Sequence, residues 1–293
     1  MIQYEGTLYR PPSEARSLIL QATIGCSYNA CTFCAMYRDK QFRVRKIDEI
    51  KDEITWARSK MGASVRKVFL ADGDALMAPP RYLHAVIEAL HDAFPGLQRI
   101  SCYASPQSLQ VRTVAQMTAL REAGLSQYYL GVESGHDDVL KFLEKGVDSA
   151  EMIRVAAKAT EAGVRLSTMV LLGVGGRKTS LAHARESARV INAIAPRFVS
   201  TLVVTPVEGT PLFEQSMRGE LDDLDELELT RELRAFVAGL DLHGSVFRSN
   251  HASNYLPLGG TLPKDKAAIL ESIDSILADP SYDDFVPEQF RGL

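Results

Sequence analysis

The 293-residue sequence lacks the features of several protein classes. It has no apolar run of 18 residues, which predicts the absence of a membrane-spanning helix. Its start shows no basic-then-apolar secretion pattern, so we expect a cytoplasmic protein. With 33 Lys and Arg against 37 Asp and Glu, the net charge is -4. This lack of a basic excess argues against nucleic acid or an anionic membrane as a partner.

Cysteine is scarce, with four residues in the chain, but three of the four are clustered. Cys26, Cys31 and Cys34 form the pattern C-x4-C-x2-C, and only Cys102 stands apart. A disulfide framework is a poor explanation, because the chain is large and three clustered cysteines leave one over. A structural zinc site usually takes two separated ligand pairs, and only one Cys-x-x-Cys is present. Three thiolates suit an iron–sulfur cluster better, with zinc completed by a distant histidine as the alternative.

Six short apolar, β-branched runs alternate with stretches of helical periodicity, which is typical of repeated βα units and a parallel sheet. The predicted strands are Leu18 to Ile24, Val65 to Ala71, Gln98 to Ala104, Gln127 to Glu133, Val164 to Gly173 and Arg197 to Thr205. We therefore predict an α/β fold, a partial (β/α)6 barrel over residues 1–215 with its active site at the C-terminal strand ends. An open doubly wound sheet is the alternative. Residues 216–293 are predicted to form a helical cap, with a loop at 246–260.

The segment from Gly25 to Cys34, directly after the first predicted strand, resembles the cluster loop of the radical S-adenosylmethionine (SAM) superfamily. Members of that family bind a [4Fe–4S] cluster through three cysteines on a partial (β/α)6 barrel, and Phe33 matches their aromatic residue before the third cysteine. The usual spacing is C-x3-C-x2-C, so this chain has one residue more. Further family-like motifs follow in order, and the second of them resembles the Elp3-like branch. These motifs are Ala71-Asp72-Gly73-Asp74, Gly131-Val132-Glu133-Ser134-Gly135, Leu172-Gly173-Val174-Gly175-Gly176 and Val203-Val204-Thr205-Pro206.

The resemblance implies two cofactors and a set of residues that hold them. A [4Fe–4S] cluster on the catalytic cysteines Cys26, Cys31 and Cys34 would leave one iron open for SAM. The remaining family positions imply SAM contacts at Phe33, Gly73, Asp74, Glu133, Ser134, Gly173 and Val204, with the amino group at Asp74 and the ribose at Glu133.

The implied reaction is reductive cleavage of SAM to a 5′-deoxyadenosyl radical that abstracts hydrogen from a small molecule or peptide. A flavodoxin- or ferredoxin-like protein would supply the low-potential electron. Three alternatives stay open: a tRNA-modifying radical SAM enzyme, a non-catalytic iron–sulfur protein for electron transfer or redox sensing, and a zinc-stabilised binding module.

The remaining polar residues carry weaker expectations. Substrate-side candidates are Tyr103, His251 and Asn254. Cys102 is expected to be a small buried hydrophobic residue of the third strand. Asp72 is expected to be a solvated loop carboxylate. The basic run at 38–46 is expected to be a solvated surface, with a carboxylate-binding role as the alternative.

Overall fold

The computed structural model describes residues 1–281 and 284–292, so Tyr282, Asp283 and Leu293 of the predicted cap lie outside the described residues. Over these ranges strands alternate with helices. The strands are β1 (Leu18–Gln21), β2 (Thr23–Ile24), β3 (Arg43–Val44), β4 (Lys67–Ala71), β5 (Arg99–Ala104), β6 (Leu125–Glu133), β7 (Arg165–Leu172), β8 (Phe198–Val203), β9 (Val246–Arg248) and β10 (Gly259–Thr261). The helices are α1 (Ile47–Met61), α2 (Pro80–Ala93), α3 (Pro106–Val111), α4 (Val114–Ala123), α5 (Asp137–Phe142), α6 (Ser149–Glu161), α7 (Gly176–Ile194), α8 (Pro211–Met217), α9 (Glu226–Gly239) and α10 (Lys266–Ala278).

Eight strands form one mostly parallel sheet in the order β1-β4-β5-β6-β7-β8-β9-β10. The pairs β1–β4, β4–β5, β5–β6, β7–β8 and β8–β9 are parallel, and β10 is antiparallel to β9. The strand order follows the chain without a reversal, as in (β/α) barrels, whereas a doubly wound sheet reverses its order at a switch point. The α/β prediction of barrel type is therefore confirmed, and the doubly wound alternative is wrong.

All six predicted strands are present, and no outer bound differs from the predicted one by more than two residues. The first is interrupted at Ala22, after which β2 pairs antiparallel with β3 and closes the base of the cysteine loop. The sixth ends at Val203 rather than at Thr205, because the main chain leaves the sheet there.

The predicted helical cap needs a correction, because the tail also adds strands to the sheet. The loop predicted at 246–260 contains β9 and β10. Residues 246–248 extend the edge of the sheet by pairing with Phe198–Ser200 of β8. Such short strands are stabilised by main-chain pairing, and the two glycines of β10 offer no side-chain pattern from which a strand could be predicted.

The chain divides into two compact units. The first comprises 1–29, 36–130 and 155–166, and its strands bury Ile19, Phe69, Ala71 and Tyr129 in one apolar cluster. The second comprises 30–35, 131–154 and 167–293, and one of its apolar clusters is formed by Val139, Leu143, Leu171 and Val174. The predicted domain boundary between residues 215 and 216 stays a prediction. Across the described ranges, every helix is too short or too polar to cross a bilayer.

Candidate functional site

The cysteine loop begins where β2 ends. Gly25 adopts a left-handed conformation, with a φ of 73°, and leads into Cys26. Cys26, Cys31 and Cys34 are all partly exposed, whereas Cys102 is fully buried in β5. Burial raises the pKa of the Cys102 thiol well above its usual value. The expectation of a buried Cys102 is therefore confirmed, whereas the three clustered cysteines keep some exposed surface.

Asp72, at the end of β4, contradicts the expectation of a solvated loop carboxylate. It is fully buried, and its Oδ2 accepts hydrogen bonds from Lys40 Nζ at 3.0 Å, Gln21 Nε2 at 2.9 Å and the Gly25 N–H at 3.1 Å. Its Oδ1 is buried without a hydrogen-bond partner among the described residues. Lys40 is also buried, so this part of the basic run is an interior cation rather than a solvated surface. The error arose because sequence gives no sign that the two charges, 32 residues apart, meet in the interior.

Gly73 lies against the first cysteine. A Cβ placed on Gly73 would stand 2.5 Å from the Tyr37 ring and 3.0 Å from the Cys26 Cβ, so a larger residue would displace the loop. The Gly73 N–H donates to the Gly25 carbonyl at 3.1 Å. Asn29 contributes a second tether, since its side-chain amide donates to the Tyr37 carbonyl at 2.7 Å. Glycine is therefore required at position 73, because the main chain there lies close to the cysteine loop.

Asp74 is the centre of a buried serine cluster. Its Oδ2 accepts from the hydroxyls of Ser27 and Ser105, and its Oδ1 accepts from the Ser105 N–H at 3.1 Å. Burial raises the pKa of this carboxyl, and the serine hydrogen bonds oppose that shift. Because Ser27 follows Cys26 directly, Asp74 anchors the start of the cysteine loop to the end of β5.

The second part of the cysteine loop, 30–35, packs within the second unit. Thr32, between Cys31 and Phe33, is 1% exposed and is held by three main-chain contacts. Its N–H donates to the Leu143 carbonyl and its hydroxyl to the Phe142 carbonyl, while its carbonyl accepts from the Leu212 N–H. Sequence patterns gave no signal for Thr32, because its partners lie more than 100 residues away.

Phe33 and Val204, both predicted to contact SAM, pack on the same apolar cluster. Each is partly buried against the group formed by Val139, Leu143, Leu171 and Val174. The Lys145 ammonium stands 5.9 Å from the centre of the Phe33 ring. Phe33 and Val204 thus belong to one apolar surface that remains partly exposed.

Glu133 ends β6 in a left-handed conformation, with a φ of 64°, which is uncommon for a residue other than glycine. Its Oε1 accepts a hydrogen bond from Lys145 Nζ at 2.9 Å, and both side chains are largely buried. The carboxylate folds back over Gly131, where an added Cβ would stand 1.9 Å from Oε1. The predicted ribose ligand is therefore held beside a cation that sequence reasoning did not assign.

At Gly135, the segment that follows β6 packs directly against α7. A Cβ at Gly135 would lie 2.1 Å from the main-chain oxygen of Glu186, so Gly135→Ala is expected to lower the free energy of unfolding by about 1–3 kcal/mol, since a helix backbone must move. Gly292→Ala is the matched control, because a Cβ at Gly292 meets nothing within 4 Å. Urea denaturation followed by circular dichroism measures both, and an equal loss in the two variants would contradict this packing.

Ser134 and Gly173, also predicted to contact SAM, belong to a buried polar network that sequence reasoning missed. The Ser134 hydroxyl lies 2.8 Å from His183 Nδ1, and the Gly173 N–H donates to Glu232 Oε1 at 2.7 Å. His183 and Glu232 are both fully buried. The sequence carried one weak signal for them: each polar residue interrupts the apolar face of an amphipathic helix.

The three substrate-side candidates have different surroundings. Tyr103 is partly buried beside the Phe69 and Tyr129 rings, at 5.1 and 6.1 Å between ring centres. His251 is half-buried and bonds Ser253, and burial lowers its pKa. Asn254 is 3% exposed and donates to the Thr201 carbonyl at 2.7 Å, which is a structural contact along β8. Tyr103 and His251 keep the exposed surface that a substrate contact requires.

Within 1–281 and 284–292, no three His, Cys, Asp or Glu side chains are arranged so as to hold a metal ion. The ligand role of the cysteines therefore rests on their spacing, on their exposure and on the similarity of the chain to known proteins. The sequence profile of the Radical SAM superfamily matches residues 20–190, which is more than half of the chain. The chain belongs to the radical SAM superfamily. It is therefore an enzyme of this superfamily, whose cofactors are a [4Fe–4S] cluster and SAM.

Two curated relatives match parts of this radical SAM chain. An uncharacterised protein of Methanocaldococcus jannaschii is 30% identical over 97 residues, or 33% of this chain and 30% of the relative. An uncharacterised methyltransferase of Pyrococcus horikoshii is 22% identical over 211 residues, or 69% of this chain and 42% of the relative. The chain thus spans less than half the length of either relative.

Solved radical SAM structures share the fold. Methylornithine synthase superposes with a TM-score of 0.56 at 19% identity, covering 91% of this chain and 73% of that one. Coproporphyrinogen III oxidase of Escherichia coli, described as a radical SAM enzyme, superposes with a TM-score of 0.58 at 17% identity, covering 76% and 52%. These structures support the fold, and the match of the sequence profile confirms the superfamily prediction, while the Elp3-like branch stays a prediction.

Proposed function

We propose that this radical SAM enzyme cleaves SAM reductively and uses the resulting 5′-deoxyadenosyl radical to abstract hydrogen from a small molecule or peptide. The observation that carries the proposal is the set of three partly exposed cysteines, in the pattern C-x4-C-x2-C, on the loop that follows the first strands. The bound [4Fe–4S] cluster supplies the low-potential electron for the cleavage.

Cys26, Cys31 and Cys34 are the proposed ligands of the cluster. All three residues keep some exposed surface, as cysteines that take up metal from solution require. Cys102 is fully buried in β5, where its raised pKa disfavours the thiolate. Three thiolates would leave one iron of a [4Fe–4S] cluster without a protein ligand, so that SAM could be held beside the electron donor.

Two buried carboxylates, Asp72 and Asp74, are candidates to receive the amino group of SAM. Asp74, the residue assigned by the family resemblance, already uses both oxygens to accept from Ser27 and Ser105. Asp72 Oδ1 is buried and lacks a donor among the described residues, and an N–H of the SAM amino group would satisfy it. We favour Asp72 Oδ1 for this contact, with Asp74 as the anchor of the loop.

The nucleoside contacts are proposed for residues of the second unit. Phe33 and Val204 offer an apolar surface of the kind that an adenine ring covers. Glu133, already oriented by Lys145, is an acceptor suited to ribose hydroxyls. These residues act by orienting SAM and excluding water from its sulfonium.

The substrate and the electron donor are proposed by class. The acidic chain favours a small molecule or peptide over tRNA as the substrate, and a flavodoxin- or ferredoxin-like protein as the donor. Tyr103 and His251 are the proposed substrate-side residues. A cytoplasmic location would match the reducing conditions that the cluster needs.

The test is anaerobic reconstitution with iron and sulfide, followed by SAM and dithionite. We expect methionine and 5′-deoxyadenosine in equal amounts. Iron and sulfide without that product, and an EPR spectrum that SAM does not perturb, would favour an electron-transfer or redox-sensing protein. Zinc without sulfide would favour a binding module. Since one relative is named a methyltransferase, S-adenosylhomocysteine is measured in the same reaction.

A further inference from the structure

A buried carboxyl in the tail contacts the main chain of a segment predicted to bind SAM. Glu232 lies in α9 and is fully buried. Its Oε1 accepts from the Gly173 N–H at 2.7 Å, and its Oε2 accepts from the Ser180 hydroxyl of α7. At Gly173 the φ of 83° and a Leu229 methyl 3.0 Å from the position of a Cβ leave no room for a side chain. Helix α9 therefore fixes the turn that follows β7.

His183 of α7 holds the second predicted segment in the same network. Its Nε2 lies 3.0 Å from the Leu171 carbonyl, which can only accept, so Nε2 carries the proton. Nδ1 must then accept from the Ser134 hydroxyl, and the Ser134 oxygen accepts from the His136 N–H. Burial lowers the pKa of His183 to about 4, so this histidine stays neutral.

Among the residues that the structure describes, no cation neutralises the buried carboxyl of Glu232. His183 Nε2, at 3.6 Å from Oε1, is the titratable group that faces it from α7, and β7 presents main-chain groups. On its own helix, Glu228 is engaged by Arg177 at 2.6 Å. Burial raises the pKa of Glu232 to about 7, against the opposing hydrogen bonds from Ser180 and Gly173. A glutamine at position 232 could contact the same two groups without the free-energy cost of burying an ionisable carboxyl. Fold stability alone therefore does not account for a carboxyl at this position.

We propose that Glu232 is a positioning residue for SAM. Glu232 fixes the main chain at Gly173, and His183 fixes Ser134. One network therefore sets the positions of both segments that are proposed to bind the nucleoside. The inference rests on the proposed function. The carboxylate form of Glu232 makes a stronger hydrogen bond to the Gly173 N–H than the protonated form does, because charge-assisted bonds are about twice as strong as neutral ones. SAM affinity should therefore fall as Glu232 takes up a proton.

The test is the Kd for SAM, measured anaerobically by calorimetry on the reconstituted enzyme from pH 6 to 8. The wild type should bind about three- to tenfold more weakly at pH 6 than at pH 8. Glu232→Gln can still accept from Gly173 and donate to Ser180, so it should fold and lose this difference. Glu228→Gln, a partly exposed position on α9, is the matched control and should follow the wild type.

Ser180→Ala is the second variant, and it covers the case in which Glu232→Gln does not fold. Loss of the Ser180 hydroxyl removes a bond that favours the carboxylate, so the midpoint of the pH dependence should move to higher pH. Equal pH dependence in the wild type and the Glu232→Gln variant, or an unmoved midpoint in the Ser180→Ala variant, would overturn the inference. Absence of SAM binding by the wild type at every pH would instead contradict the proposed function.

Discussion

Alanine at Cys26, Cys31 or Cys34 is expected to reduce 5′-deoxyadenosine formation by more than about 100-fold. Loss of residues that merely support metal ligands already costs about 10- to 100-fold, and here a ligand itself is removed. Each variant should also lose most of its iron and sulfide after reconstitution, and with them the absorbance near 400 nm. Iron and sulfide analysis and product chromatography on the same samples measure the two effects.

Cys102→Ala is the matched control for this prediction. Cys102 is fully buried in β5, so the variant removes a thiol without touching the accessible loop. It should keep the iron, the sulfide and the turnover of the wild type. A Cys34→Ala variant that retained both its cluster and its product would contradict the assignment, and so would a Cys102→Ala variant that lost them.

The strands and the cysteine loop could be predicted from sequence because their signals are local. A β-branched run that forms a strand, or three thiols within nine residues, needs no knowledge of the rest of the fold. These signals sufficed for the superfamily and for the position of the cysteines at the end of the first strands.

The contacts that set each side chain could not be predicted, because they join residues far apart in sequence. Asp72 and Lys40 meet across 32 positions, and Glu232 reaches Gly173 across 59. In each case composition suggests a solvated charge, since Asp, Glu and Lys are rarely buried. Only the tertiary structure shows that these charges are interior, and such interior charges are where stability and function become coupled.

Asp72→Asn is expected to lower the free energy of unfolding by about 3–5 kcal/mol. The substitution leaves the Lys40 ammonium buried opposite a neutral amide, and removing one partner of a buried pair typically costs that much. It also weakens the acceptor for the Gly25 N–H at the start of the cysteine loop, so cluster content should fall as well. Urea denaturation followed by circular dichroism measures the first effect, and iron analysis the second.

A double-mutant cycle separates the ion pair from the other bonds of Asp72. Lys40→Met removes the buried cation, so the Lys40→Met/Asp72→Asn double variant should be more stable than the sum of the two single losses predicts. Arg43→Ala, which removes a surface partner of Glu5, should leave the free energy of unfolding nearly unchanged. Additive losses in the cycle would show that Asp72 stabilises the loop through Gln21 and Gly25 rather than through Lys40.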